Sequence, residues 1–142
     1  MIVYAESSAV LAWLLGEPRE TALRHVLDDA ERVITSSLTA VECARAIARG
    51  VALGRIRQVD ELASLRLLDV AAAGWDTHDL SDRVLARAQM RFPSEPVRTL
   101  DALHLATALL LQEGLGSLPI SMLALDDRVR ENAERLGFRV LP

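Results

Sequence analysis

The sequence predicts an α/β fold, a three-layer α/β/α sandwich with a central, mainly parallel sheet. Short apolar segments alternate with longer segments of helical periodicity along the 142-residue chain. No tight hairpin turn joins two successive apolar segments, and this pattern is typical of parallel strands covered by helices on both faces. The predicted strands are Ile2–Ala5, Arg32–Ser37, Ile120–Leu125 and Phe138–Pro142.

The helices follow from apolar side chains that recur at helical spacing. The first follows Ser7 and Ser8, and Gly16 and Pro18 end it; its apolar face consists of Val10, Leu11, Leu14 and Leu15. A glycine, either Gly50 or Gly54, is expected to close the helix that follows the second strand. The other predicted helices cover residues 18–32, 38–50, 57–70, 79–92, 99–114 and 126–137.

Two segments between the helices are less regular. Residues 71–78 are ambiguous and are a candidate third strand, whereas the Pro-bounded residues 93–98 form the clearest predicted loop. The helix at 99–114 is apolar nearly all round, which predicts that it is buried. No repeat, linker or low-complexity tract is present, so we expect a single domain over residues 1–142.

The basic residues exclude several classes of enzyme. All 16 are arginine, because the chain has no lysine. A Walker-type phosphate loop, a Schiff-base enzyme and a lysine general base each need an amine that this chain lacks. The net charge of −4 argues against a non-specific DNA coat protein. It is compatible with a nuclease whose acidic site recruits a metal.

Several features of the chain predict a cytoplasmic protein. No apolar run is long enough to span a bilayer, and the N-terminus lacks the basic region of a signal peptide. The lone cysteine, Cys43, cannot form an internal disulfide, which fits a reducing compartment.

Four carboxylates lie where predicted strands give way to helices or where helices begin. Ligands of parallel sheets bind beyond the carboxyl ends of the strands, so these acids are candidates for one site. Like charges that lie close together repel unless a divalent cation compensates them. Carboxylate oxygens without histidine or cysteine partners suit magnesium or manganese better than zinc. The four acids are Glu6, Glu42, Asp101 and Asp126.

Two of these acids also have a structural explanation. Asp126 is a possible N-cap of the helix that follows it. Glu42 is a possible far member of a capping box that begins at Thr39. Glu6 is harder to explain in this way, because glutamate is a poor N-cap residue and Ser7 or Ser8 would serve better. Asp101 lies in an apolar helix, so its carboxylate needs a partner.

Further polar residues flank these acids. His104 lies three residues after Asp101 on the same helical face, and either contacts substrate or is a hydrogen-bonded structural residue. Arg98 borders the predicted loop and either reaches phosphate or stays solvated. Asp127 lies beside the fourth acid.

Four segments of the chain resemble the motifs of the PIN-domain family. They are VYAESSAVLAWLLGEP at 3–18, SSLTAVECARAIARG at 36–50, RTLDALHLATAL at 98–109 and MLALDDRVRENAERLGFRVL at 122–141. The similarity extends over nearly the whole chain, with the motifs in the family's order. Within the family, the chain is similar to the compact VapC toxins of bacterial toxin–antitoxin pairs.

This resemblance implies a metal-dependent endoribonuclease that hydrolyses RNA phosphodiesters by a metal-activated water. Carried over by motif, the catalytic and metal residues are Glu6, Glu42, Asp101 and Asp126, with Mg²⁺ or Mn²⁺ as the ion. Ser8 matches a serine that orients the first acid or binds a metal-bound water. The resemblance also implies a cognate VapB-like antitoxin and a homodimer.

The chain departs from the family pattern at two positions. Glu6 stands where the family has aspartate, and its extra methylene moves the carboxylate by about 1.5 Å. Ala124 stands where the family has a hydroxyl residue. These departures motivate an alternative, a catalytically weakened PIN-like protein that binds an antitoxin or RNA. A phosphoacceptor receiver domain is a third hypothesis, against which the missing lysine argues.

Overall fold

The five strands form one sheet in the order β3-β2-β1-β4-β5, and every strand pair is parallel. The computed structural model describes all residues, 1–142. The predicted α/β class is therefore confirmed, and the sheet expected to be mainly parallel is wholly so. The ambiguous segment at 71–78 contains a short edge strand. The strands are β1 (Ile2–Ala5), β2 (Arg32–Ser36), β3 (Asp76–His78), β4 (Ile120–Leu123) and β5 (Arg139–Leu141).

Seven helices connect the strands, and none is long and apolar enough to cross a membrane. Of the two glycines expected to close the helix after the second strand, Gly50 and Gly54, it is Gly54, at φ +69°, that follows its end. The helices are α1 (Ser7–Leu14), α2 (Glu20–Asp28), α3 (Ser37–Ala52), α4 (Gln58–Ala72), α5 (Asp82–Ala88), α6 (Thr99–Leu115) and α7 (Asp127–Arg135).

Helix α5 is the element whose predicted bounds, 79–92, were most in error. The hydroxyl of Ser81 accepts a hydrogen bond from the Val84 amide, so the helix begins at this N-cap instead of at residue 79. Phe92 has left the helix: its side chain is buried and its amide donates to the Glu95 carboxylate at 3.0 Å. Buried apolar side chains therefore continue to Phe92, although the helix itself ends at Ala88.

Each face of the sheet packs against its own group of helices, which gives the predicted three layers. Alternate residues of a strand point to opposite faces, so one strand serves two cores. On one face, Ile2, Tyr4, Ile34, Ile120 and Met122 share a core with residues of α5, α6 and α7. On the other face, Val3, Ala5, Val33, Leu123 and Leu141 pack with residues of α1, α2, α3 and α4.

The strand order reverses between β1 and β4. The chain runs from β1 outward to β2 and β3, then returns to the other side of β1 to form β4 and β5. Such a switch point opens a crevice at the carboxyl ends of the two central strands. Glu6 directly follows β1, and Asp126 lies just beyond β4, so both stand at this crevice.

Candidate metal centre

All four predicted acids line a single pocket of about 140 Å³ at the crevice between β1 and β4. Glu6 comes from the end of β1, Glu42 from α3, Asp101 from the first turn of α6 and Asp126 from the turn before α7. Glu6 and Asp101 are almost fully buried, at 2% and 5% exposure. Four distant segments of the chain therefore bring their carboxylates together.

Glu6 is the N-cap of α1, so the expectation that a serine would cap this helix was wrong. Its Oε2 accepts a hydrogen bond from the Ser8 amide at 3.0 Å and another from the Ser8 hydroxyl. The Ser8 Oγ in turn accepts from the amides of Leu125 and Asp126, at 2.9 and 3.0 Å. Ser8 thus fixes the first carboxylate and joins the end of β1 to the end of β4.

Ser7 is a member of the site that the sequence analysis missed. Its Oγ lies 2.7 Å from Oε1 of Glu6 and 3.0 Å from Oε2 of Glu42. A hydroxyl has one proton, so Ser7 bridges two carboxylates and fully satisfies only one of them at a time. Its position directly after an acid at the end of a strand was the available signal, although a hydroxyl there also fits a helix cap.

Glu42 is held from its other side by His104, not by a capping box. Oε1 of Glu42 lies 2.6 Å from Nε2 of His104, whose Nδ1 lies 2.9 Å from the Tyr4 hydroxyl. His104 is fully buried, so substrate cannot touch it directly. With the Tyr4 hydroxyl donating to Nδ1, the Nε2–H of His104 donates to the carboxylate. Tyr4 was also missed, although a lone hydroxyl in a buried strand requires a partner.

The cap of α3 differs from the capping-box alternative. Ser36 is the N-cap, and its hydroxyl accepts from the Leu38 amide at 3.2 Å. Thr39 Oγ1 instead lies within hydrogen-bond distance of Thr35 Oγ1, at 2.8 Å. Glu42 is therefore free to face the pocket.

These contacts decide the ionisation of the groups around Glu42. Burial works against the charged form of Glu42, but hydrogen bonds from His104 and Ser7 and nearby positive charge outweigh it, so its pKa lies below the usual range. Burial, with the neighbouring Glu6 and Glu42 charges, raises the pKa of the Cys43 thiol to about 12. The pocket thus keeps Glu42 as a carboxylate and Cys43 as a thiol.

Asp101 finds its required partner in Arg98. The Arg98 Nε donates to Oδ2 of Asp101 at 2.7 Å, and Nη2 donates to Oδ2 of Asp126 at 2.8 Å. Asp126 is also the N-cap of α7, because its Oδ1 accepts from the amides of Arg128 and Val129. Asp126 therefore both caps α7 and lines the pocket.

Two other predicted positions lie outside the pocket. The side chain of Ala124 belongs to the hydrophobic core, so its missing hydroxyl leaves no gap in the pocket lining. Asp127 is exposed and lines an adjoining groove with Arg98 and Arg128.

The donor set of the pocket fits a divalent cation. Ligand atoms of Glu6, Glu42 and His104 lie within 4.8 Å of one another. The histidine in this group was not expected from the sequence. Both of its ring nitrogens are already hydrogen-bonded, so the donors available to a metal are the carboxylate oxygens. Arg98 is the only basic residue among the ten that line the pocket, against four acids. This excess of negative charge favours a doubly charged ion.

Comparisons with known proteins identify the family. The PIN domain model matches residues 3–134. Ribonuclease VapC46 of Mycobacterium tuberculosis is 36% identical over 139 residues, covering 98% of this chain and 95% of the relative. Ribonuclease VapC35 of the same species is 33% identical over 144 residues, covering 99% and 96%.

Solved structures share the fold at low sequence identity. Mycobacterium tuberculosis VapC20, described as a sarcin–ricin loop cleaving toxin, superposes with a TM-score of 0.66 at 15% identity, covering 99% of both chains. A chain of the Rickettsia felis VapBC2 complex with a promoter DNA fragment gives a TM-score of 0.64 at 10% identity, covering 99% and 97%. This chain belongs to the PIN domain family.

Proposed function

We propose that this chain is a divalent-metal-dependent endoribonuclease of the VapC type, the toxin of a toxin–antitoxin pair. The observation that carries the proposal is the convergence of Glu6, Glu42, Asp101 and Asp126 in one pocket at the switch point of the sheet. Two relatives that match nearly the full length of the chain are named as VapC ribonucleases, which supports the reaction. We further propose that residues 1–142 act as one PIN-like domain in the cytoplasm.

We assign metal binding to the same four acids and propose Mg²⁺ or Mn²⁺ as the ion, because both prefer hard oxygen ligands. When bound, such an ion stabilises charge on a phosphoryl oxygen and lowers the pKa of water. Ser7 and Ser8 hold Glu6 in place, and His104 holds Glu42.

The groove beside the pocket is the proposed path of the RNA strand. It has a volume of about 490 Å³ and is lined by Arg98, Asp127 and Arg128, among others. A guanidinium group recognises phosphate oxygens through its fixed fork of donors. Arg98 lies at the boundary between pocket and groove, so it is the candidate for contact with a phosphate.

The test is RNA cleavage by the full chain with Mg²⁺ or Mn²⁺, comparing Asp101→Asn with Asp60→Asn. Asp60 is the matched control, because it pairs with an arginine three residues earlier at the start of α4 and does not line the pocket. Asp101→Asn is expected to lower the cleavage rate by more than about 100-fold, since even indirect support of a metal costs 10–100-fold. Asp60→Asn is expected to cleave at the wild-type rate. Intact RNA with wild-type protein and Mn²⁺, or full activity of Asp101→Asn, would contradict the proposal.

The alternative is a PIN-like protein that has lost catalysis and acts by binding an antitoxin or RNA. It is favoured by the Glu6 carboxylate, which is committed to a helix cap and two hydroxyls. Calorimetric titration with Mn²⁺ discriminates the two functions, because absence of binding supports the alternative. In that case, Glu6→Asp is expected to restore Mn²⁺ binding.

We propose a cognate VapB-like antitoxin as partner and a homodimer as the assembly. The support is the fold shared with chains of the VapBC2 complex and of the FitAB complex, which superposes with a TM-score of 0.60. Co-expression with the product of the neighbouring reading frame is expected to yield a stable complex in which RNA cleavage is suppressed. A monomeric mass in light scattering would contradict the homodimer.

A further inference from the structure

Arg98 occupies the acidic pocket as a counter-ion. Its guanidinium contacts two carboxylates from different segments, Asp101 at 2.7 Å and Asp126 at 2.8 Å. Both acids belong to the proposed metal set, and no other basic side chain lines the pocket. The chain therefore places one of its own positive charges where the proposed function requires a cation.

The guanidinium and a divalent cation require the same oxygen atoms. Oδ1 of Asp126 is committed to the amides of Arg128 and Val129 at the start of α7, so Oδ2 is the oxygen that faces the pocket. That Oδ2 is the atom to which Arg98 donates. On Asp101, Arg98 takes Oδ2 at 2.7 Å and approaches Oδ1 at 3.4 Å. Metal binding to these carboxylates therefore competes with Arg98.

Arg98 is the partner that is free to move. Its side chain is 72% exposed, whereas that of Asp101 is only 7% exposed. The groove of about 490 Å³ beside the pocket already includes Arg98 in its lining and has room for the released side chain. We propose that Arg98 is a built-in counter-ion that holds Asp101 and Asp126 together in the metal-free protein and is displaced when a divalent cation binds.

This inference rests on the proposed function, because it requires the pocket to bind a metal. A metal ion that binds these acids must first break the two ion pairs of Arg98. The measured affinity for the metal is therefore weaker than the affinity that the same acids would have without Arg98. Removal of Arg98 is therefore expected to strengthen metal binding. A merely structural role for Arg98 predicts unchanged or weaker binding.

The experiment is calorimetric titration of the metal-free full chain with Mn²⁺ alone. Arg98→Gln is expected to bind Mn²⁺ about fivefold more tightly than wild type, or better. Arg57→Gln is the matched control, because Arg57 makes the same two-nitrogen contact with Asp60 at the start of α4, away from the pocket. Its Mn²⁺ affinity is expected to equal that of wild type.

A second variant keeps the inference testable if Arg98→Gln folds poorly. Arg98→Lys retains the charge but, as a single ammonium group, does not reproduce the fork that spans both carboxylates. Its Mn²⁺ affinity is expected to lie between those of wild type and Arg98→Gln. Unchanged or weaker binding by a folded Arg98 variant would overturn the counter-ion role while leaving the metal site intact. Absence of Mn²⁺ binding in both wild type and Arg98→Gln would overturn the proposed function as well.

Discussion

Helices α4 and α6 begin with the same local arrangement but lie in different surroundings. Each has an arginine at its N-cap, Arg57 or Arg98, with an aspartate three residues later, Asp60 or Asp101. In both, the arginine Nε lies 2.7 Å from an aspartate oxygen. The Asp60 side chain is 45% exposed and that of Asp101 is 7% exposed. The local motif is therefore the same, and the first difference between the two helices is the burial of the aspartate.

The second difference is what faces each pair. Arg98 also contacts Asp126, which lies 28 positions later in the chain, whereas Arg57 has Asp60 as its only ion-pair partner. Contact with Asp101 and the charge of Asp126 raise the pKa of the Arg98 guanidinium, and contact with Asp60 does the same for Arg57. The Arg-x-x-Asp start of α6 therefore belongs to the pocket because the fold buries its aspartate beside a further acid, Asp126.

The largest expected effect tests whether α6 is a core element and α4 a surface element. Leu105 in α6 is fully buried, so Leu105→Ala is expected to lower the free energy of unfolding by about 2–5 kcal/mol through loss of contacts and a cavity. Leu62 in α4 is 53% exposed, so Leu62→Ala is expected to change it by less than about 0.5 kcal/mol. Urea unfolding measures both, and an equal loss in the two variants would break the comparison.

The burial of α6 and the convergence of the four acids were predictable from the sequence. The apolar residues all round α6 excluded a solvent-facing helix, and alternating strands and helices required a parallel sheet. Acids that follow parallel strands must then meet at one edge, which is why Glu6 and Asp126 were placed correctly relative to each other. The burial of α6 and the convergence of the acids follow from hydrophobic periodicity and from the order of strands and helices, and both can be read from a single sequence.

The contacts of the acids were not predictable to the same degree. That Ser7 bridges to Glu42 depends on the distance between β1 and α3, which no local pattern encodes. The same holds for the Tyr4–His104 contact, which joins residues 100 positions apart. The Glu6 cap is a local contact with the Ser8 amide, but glutamate is a poor N-cap residue, so the residue type predicted against it. The bounds of α5 were wrong for a different reason: the Ser81 cap, which sets the start of the helix, was not considered, and Phe92 lies beyond its end at Ala88.

The two helices also differ at the position three residues after each aspartate. Helix α6 has His104 there, hydrogen-bonded at both nitrogens, and α4 has Ala63. His104→Leu is expected to lower the free energy of unfolding by about 1–3 kcal/mol, because the buried Tyr4 hydroxyl loses its His104 partner. It is also expected to weaken Mn²⁺ binding by 10–100-fold, because Glu42 is no longer held.

The matched control is Ala63→Ser, since this substitution is not expected to alter Mn²⁺ affinity. Chemical denaturation and calorimetry measure the two quantities independently. Wild-type Mn²⁺ affinity in folded His104→Leu would show that the histidine supports the helix and not the carboxylate.

The smallest expected effect concerns salt and separates the two arginine pairs by their exposure. Charges in open solvent are screened within about 10 Å at 0.1 M salt and about 3 Å at 1 M, whereas buried charges are screened much less. Arg57→Gln is therefore expected to lower the melting temperature slightly at low salt and not at all at 1 M. Arg98→Gln, without metal, leaves the buried Asp101 beside Asp126 with no counter-ion, so its loss of melting temperature is expected to persist at 1 M salt. Melting curves of both variants at the two salt concentrations measure this difference. If salt removes both effects equally, the pocket is as open to solvent as the surface of α4, and burial is not what distinguishes the two helix starts.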